Sequence, residues 1–404
     1  MSLTIYKEEF DNSYQEIFQK VLVGKDICNT RFEPVLRYGE SVERVAFNID
    51  NVRVRNTVKG SDSTIDPVTD SSELLTINLS KEAVFNIHDD EVVQSGPLNP
   101  GENIGAQVAI KVAADLDARI FYEVKNAYQA FDTGDLTTLV STGVPITLNS
   151  TTVPQMAKRM PAKLRRGANQ VLNGNMAFVG DAFALSDIEQ YLMGKEIDLA
   201  ASIFANGYSG KMSMGDIYCS ENLTGEAWLN LSQTVSNNDT ITINGVVFTF
   251  KTTLSNPAVA GEVLLGADVA ATRVNLAAAI NAPGTTSATF TALSAADQLI
   301  ITDTLKLVAT DDISATKVKI VGTGAGRMIV SEGLTHADNV WTYNFIHCYY
   351  GKKGAIDLVV QDMKEVDMRE ADKSRSTNVF CSYLAGLKTF ADGAKKFLDV
   401  KVAA

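Results

Sequence analysis

The sequence predicts an α+β chain, and three observations predict it. Strand-and-turn text between residues 51 and 87 spells a hairpin with a polar tip. One helix of about 30 residues follows at once, several times the ordinary globular length. Further on, a β-rich stretch with a single helix fills much of the C-terminal half.

Residues 9–23 place Phe10, Tyr14, Phe18 and Leu22 at helical spacing and predict a short amphipathic helix, after which 32–48 turns to strand and turn. The hairpin arms are then expected as Val52-Val54-Val58 going out and Leu75-Ile77-Leu79 returning, around a tip from Gly60 to Ser72 rich in Ser, Thr and Asp. A two-stranded ribbon is marginal in water by itself. Something else in the chain, or another copy, has to cover its apolar face.

Asn99 as cap, Pro100 at the first helical position and Glu102 three residues after the cap mark the start of the long helix. Its ladder runs Ile104, Val108, Val112, Leu116, Ile120, Val124, Tyr128, and the helix is expected to reach Gln129. A spacing of four advances about 40° per step, so the stripe wraps and several elements have to cover it.

Thr, Val and Gly dominate 136–153, and 156–172 predicts a basic helix interrupted by Pro161, with Lys158, Arg159, Lys163, Arg165 and Arg166 as the one dense basic cluster. A solvated face or salt bridges to the acidic excess account for that cluster better than a DNA site. A short strand at Ala177-Phe-Val-Gly180 leads to a helix capped by Ser186 with Glu189 three residues on, and Asp216–Ser220 is a further strand.

From about 229 to 340 the composition changes, and Arg273 is the only basic residue between Thr252 and Leu305. This reads as an inserted module: one alternating strand Thr240–Phe250, a helix near Asp268–Asn281 with Asp268 as cap, then strands at 288–293, 299–302 and 317–321. Strand text resumes at 344–350 and 355–361, and the tail 379–402 reads strand, turn, strand.

Composition narrows the function classes. With 404 residues, 45% of them hydrophobic, the chain has ample material for two or three cores. A net charge of −12 argues against gripping nucleic acid through a basic surface. An acidic wall facing packed DNA suits a container better than a reader. Cys28, Cys219, Cys348 and Cys381 are scattered without metal-ligand spacing and are expected as reduced, buried thiols. No apolar run approaches 18 residues, so no membrane span is expected, nor secretion by the usual route.

No catalytic constellation assembles. His88, His336 and His347 are isolated in sequence and expected to be structural. The run Gly322-Thr-Gly-Ala-Gly-Arg327 lacks the Lys-Ser/Thr ending of a phosphate loop and is expected to be a connector. Asp268 and Asp311-Asp312 lack calcium-loop spacing. Catalytic, cofactor-binding and metal-binding residues are therefore all expected to be none, and the chain not an enzyme.

Arm, polar-tipped hairpin, long helix, glycine-punctuated α/β region and closing strands, in that order, resemble the major capsid protein of tailed bacteriophages, the Hong Kong phage 97 fold. Local phrases are also similar to capsid and coat proteins of that group: Ala177–Gly180, Gly210-Lys-Met-Ser-Met-Gly-Asp-Ile217 and Gly354-Ala-Ile-Asp-Leu-Val-Val-Gln361. The Thr242-Ile-Asn-Gly-Val-Val-Phe248 stretch, with the Ala-rich helix at Asn275–Asn281, resembles an insert of phage virion proteins.

The resemblance implies an N-arm with lead-in strands (1–50), an extended E-loop (51–87) and a P-domain with its spine helix (88–154). It further implies a first part of the A-domain (155–228), an insertion domain (229–340) and closing strands (341–404). By the same resemblance the chain is a structural subunit of an icosahedral virion shell, made in the bacterial cytoplasm and assembling with itself into pentamers and hexamers around double-stranded DNA.

Portal, scaffold or decoration proteins would be its other partners, and DNA would be met without sequence-specific contact. Members with cleavable scaffolding begin with a segment not seen here, so a separate scaffold, or none, is implied. Lys59 is the only lysine between Asn51 and Ser80, and no partner residue matches it, so covalent crosslinking is not expected. The alternative function is a tail-tube or sheath virion subunit, and after it an enzyme with a site that the sequence motifs do not reveal.

Overall fold

Strand 69–88 runs for 20 residues, about 65 Å at the usual rise per residue, and organises the first of two units. The structure, a computed structural model, describes residues 22–34, 39–48, 52–56, 59–60, 62, 65–88, 100–168, 175–193, 211–212, 215–363, 367–370 and 376–404. It is a mixed α+β fold. The helix expected at 9–23 lies outside the described residues except for Leu22 and Val23, as does the cap Asn99.

One unit takes Cys28–Val112 and Gly354–Ala394. Its sheet runs Cys28–Asn29, Ile356–Met363, Ser376–Lys388, Thr69–His88, Ser41–Asn48, with Asp367–Glu370 beside Ser376–Lys388. Thr69–His88 changes partner along its length. Its first part pairs antiparallel with Ser41–Asn48, Val42 facing Leu75, and its remainder pairs with Ser376–Lys388.

The hairpin therefore differs from its expected register. The outgoing arm is Ser41–Asn48, whereas Val52–Asn56 forms no ladder, and Thr69–Ser72, expected in the tip, belongs to the returning strand. Val52 and Val54 alternate as strand residues do, but alternation alone does not supply a hydrogen-bonding partner. The returning face is as expected: Leu75 is buried, with Ile77 and Leu79 partly so.

The other unit takes Ala113–Lys353 and Lys395–Ala404, with the short helix Val23–Ile27. Its nine-stranded sheet runs Leu307–Asp312, Lys317–Gly322, Thr224–Asn230, Val340–Lys352, Met176–Gly180, Gly215–Cys219, Lys211–Met212, with Phe397–Ala403 and Gln129–Phe131 joined alongside. A four-stranded sheet, Glu262–Leu264, Val246–Lys251, Thr240–Ile243, Val330–Gly333, lies in the same unit.

The segment expected as a module, 229–340, shares a sheet with the chain that precedes and follows it. Lys317–Gly322 pairs along its length with Thr224–Asn230, Ile320 opposite Ala227. Ala227 and Leu229 share one buried cluster with Phe248, Leu276, Ile280, Val318 and Ile320. A composition boundary marks a change of chain text, whereas a sheet closes on whichever strand completes its ladder.

Smaller corrections share local causes. Thr240–Phe250 is a two-residue hairpin, because Asn244 and Gly245 take the left-handed conformations (φ 47° and 86°) of the Asn-Gly turn. Residues 295–304 are helical where a strand was expected, since Ser294 accepts from Asp297 N–H and starts a turn. No strand forms at 288–293 beyond a single bridge from Phe290 to Val263. Helix Ala182–Met193 is capped by Asp181, which accepts from Ala184 N–H at 2.9 Å, and Ser186 sits inside it.

The long helix spans Pro100–Tyr122 and tightens into a 3₁₀ turn at Glu123–Asn126, ending seven residues before the expected Gln129. Gln129–Phe131 is instead drawn into a parallel ladder with Leu398–Val400, and Tyr128 is exposed. Within the second unit Leu116, Ile120 and Val124 are buried. Asp117, on the same stripe, accepts the backbone N–H groups of Val23 and Gly24 at 3.1 and 2.9 Å.

Candidate assembly surface

The arm formed by 41–48 and 69–76, with the chain between them, divides its apolar residues between two fates. At its base Leu75, Val359 and Phe390 form a buried cluster onto which Phe32, Val42 and Ile77 pack. Arg44 clamps it by a bidentate pair with Asp392, both contacts 2.8 Å, its guanidinium lying 5.0 Å over the Phe390 ring. Glu73 accepts the N–H of Ala391.

Farther out, apolar side chains face solvent. Val54 is fully exposed, Ile65 is 91% exposed and Leu74 52%, beside a Leu75 at 0%. Val45, Val52 and Val68 are exposed as well. Two described stretches of this chain, 52–56 and 65–68, are nevertheless tied together by charge: Arg55 binds Asp66 through two 2.7 Å contacts, and Arg53 N–H reaches the same carboxylate at 2.8 Å. Those bonds hold the Asp66 carboxyl below the usual carboxylate range. The loop is thus shaped by polar clamps and presents aliphatic groups, which a contact surface requires and an isolated loop does not.

The residues weighed for chemistry are engaged structurally. His347 is buried, its Nδ1 2.8 Å from Asp399 and its Nε2 3.1 Å from Glu226. Burial alone would depress its pKa, but the two carboxylates raise it. Glu226, opposed by burial, is held low by His347 and Lys125. With no hydroxyl or thiol among its hydrogen-bond partners, this is an ionic core, not a nucleophile and its base.

In Gly322–Arg327, Gly326 N–H is given to the Leu223 carbonyl, and the Arg327 guanidinium pairs with Asp181 and donates to the Ala403 carbonyl at 2.9 Å. Gly324 sits where an added Cβ would lie 2.6 Å from Ala118 Cβ. The run is a close-packed connector in which the Ala325 and Gly326 N–H groups and the Arg327 guanidinium are used inside the protein. Asp268 caps its helix, Asp311 pairs with Arg273 and Asp312 with Lys319.

Helix Thr152–Ala168 turns Lys163 inward to Asp135 and leaves Lys158, Arg159, Arg165 and Arg166 exposed. None of the four cysteines is in a disulfide, and Cys219, expected buried, is exposed at a strand end. His88 and His336 are exposed also. Among the described residues, no helix is long and apolar enough to cross a membrane.

Sequence reasoning missed Asp117 and the Arg55–Asp66 clamp. An acid inside the apolar ladder was a visible signal for the first. A salt bridge across an unpaired loop leaves none.

No protein-family profile matches the sequence, and no curated protein matches it. Among solved structures the chain is similar to one from Mycobacterium phage Che8 at 14% identity and a TM-score of 0.48, covering 93% of this chain and 90% of that one. It is similar to one from Mycobacterium phage Ogopogo at 11% identity and a TM-score of 0.43, covering 94% and 92%. A third is the bacteriophage PhiM1 mature capsid, at 11% identity and a TM-score of 0.42, covering 90% and 82%.

Proposed function

We propose that this chain is a structural subunit of an icosahedral phage shell, assembling with itself into pentamers and hexamers that enclose double-stranded DNA. The observation that carries the reading is the arm: anchored at its base by a buried cluster and an ion pair, clamped by Arg55–Asp66, and presenting Val45, Val52, Val54, Ile65 and Leu74 to solvent. Covering one such side chain contributes about 1.5–3 kcal/mol, so an arm lying across a neighbour gains several of these modest terms at once. Repetition of one such heterologous contact generates a closed shell or a tube.

The domain reading follows the same line: 51–87 as the loop that reaches a neighbour, Pro100–Tyr122 as the spine, and the segment between Asn230 and Val340 as an elaboration grafted onto the nine-stranded sheet. The chain's chemistry fits a structural role, since His347, Asp268, Asp311, Asp312 and the glycine-rich run are engaged in ion pairs, a helix cap and packing. Portal, scaffold or decoration proteins are the further partners of this reading, with bacterial cytoplasm as the place of synthesis.

Electron microscopy of the overexpressed chain tests it. Closed particles with five-fold and six-fold clusters are expected. Tubes of constant diameter would give the tail-tube or sheath reading, and small discrete oligomers would end both.

A further inference from the structure

The chain has 48 acidic residues against 36 basic ones. Many described cations find an acid within their own unit: Arg44 with Asp392, Lys125 with Glu226, Arg273 with Asp311, Lys319 with Asp312, Arg327 with Asp181. Helix Thr152–Ala168 departs from that pattern. Its 17 residues contain no Asp or Glu. Lys163 is satisfied inside, by Asp135 and the Ala130 carbonyl. Lys158, Arg159, Arg165 and Arg166 are exposed, and none of them forms an ion pair with any of the described residues.

Their phase makes a surface of them. Residues seven apart return to within about 20° and lie about 10 Å apart along a helix, so Lys158 with Arg165 and Arg159 with Arg166 form two parallel rows about 100° apart. Four like charges on one face repel one another, and an acidic chain has no solubility reason to collect them. A polyanion laid against the rows removes the repulsion and releases its own counterions.

We propose that the outer face of this helix binds the phosphate backbone of double-stranded DNA without reading its sequence. Three of the four cations are arginines, whose planar fork suits phosphate oxygens. Between the rows stands Ala162, which offers no side-chain amide to a base edge. The inference rests on the shell reading for the source of the duplex: it assigns the enclosed DNA a face of this chain to meet.

The test is fluorescence anisotropy of a labelled duplex of mixed sequence with the full-length chain across a salt titration. Four phosphate contacts give a slope of log affinity on log salt of about −3.6, so doubling the salt weakens binding about twelve-fold. R159Q/R166Q is expected to halve the slope to about −1.8, and K158Q/R159Q/R165Q/R166Q to abolish binding at the same melting temperature. Should the quadruple variant fold poorly, the two row-pair variants, K158Q/R165Q and R159Q/R166Q, carry the comparison.

Three results overturn the proposal: no binding by the parent chain at the lowest salt, an unchanged slope in the variants, or equally tight binding of polyglutamate, which would make the partner an acidic protein surface. Electron microscopy keeps the two readings apart. Particles without the DNA slope end this inference and leave the shell; the slope without particles does the reverse.

Discussion

Leu74 and Leu75 are adjacent on one strand, and one is 52% exposed while the other is fully buried. The nine-stranded sheet of the other unit shows no such division along Val340–Lys352, where Phe345, Ile346, Cys348, Tyr349 and Tyr350 are all buried. A strand in mid-sheet has neighbours on both edges and covers on both faces, so consecutive apolar residues are satisfied within the chain. The arm strand has one covered face. Its other face leaves Leu74 to solvent, and under the proposed shell reading that face serves contact between copies whereas the mid-sheet strand serves the protomer.

The largest effect is expected from cutting into the sheet. Replacing residues 229–340 by a Gly/Ser linker removes Lys317–Gly322 from beside strand Thr224–Asn230, takes the end of that strand with it and strips the buried cluster from around Ala227. Loss of soluble, cooperatively melting protein is expected by circular dichroism. A well-folded remainder would mean that the module is self-contained and the shared core incidental.

Leu75→Ala comes next, at about 2–5 kcal/mol for a large-to-small change in a buried cluster. Denaturant titration reads it, and a cost near zero would place the arm's base among the contact regions.

Asp117 sharpens the comparison from within the helix. Burial pushes its carboxyl up to about 7, against the N–H bonds from Val23 and Gly24 that pull it down. The folded pKa lies above the unfolded value of 3.8, so the fold holds the proton more tightly. The contribution is most favourable below about pH 4 and is lost as pH rises to about 7. Between those limits the stability difference should move in favour of Asp117→Asn by about 3–4 kcal/mol. Melting at a series of pH values measures it, and a gap independent of pH would sink the assignment.

The smallest effect on stability is expected from Leu74→Ser, within about 0.5 kcal/mol for an exposed site. Its effect on particle yield in micrographs should nonetheless be large. Normal particles from this variant, or a folding defect as deep as that of Leu75→Ala, would erase the distinction between the two leucines.

Much of the fold was legible because it rests on local rules. Asp268 caps its helix as its position announces, and Leu75, Ile77 and Leu79 turn to one face because strand period is two. Other local signals were present and misjudged, Asn244-Gly245 and Ser294 among them. The candidate surface was half legible: a hairpin needing a partner followed from its text, whereas the identity of its outgoing arm did not.

What the sequence by itself determined was the type and approximate place of each long element, the lack of catalytic spacing and the existence of one basic cluster, since propensity, capping and periodicity act over a few residues. Tertiary structure decided which strand pairs with which, where the long helix stops, that Lys163 leaves its basic neighbours for Asp135, and that 307–322 joins the host sheet. Those outcomes depend on hydrogen-bond ladders and burial between residues up to hundreds of positions apart, as between Phe131 and Val400, and no window of sequence contains both partners.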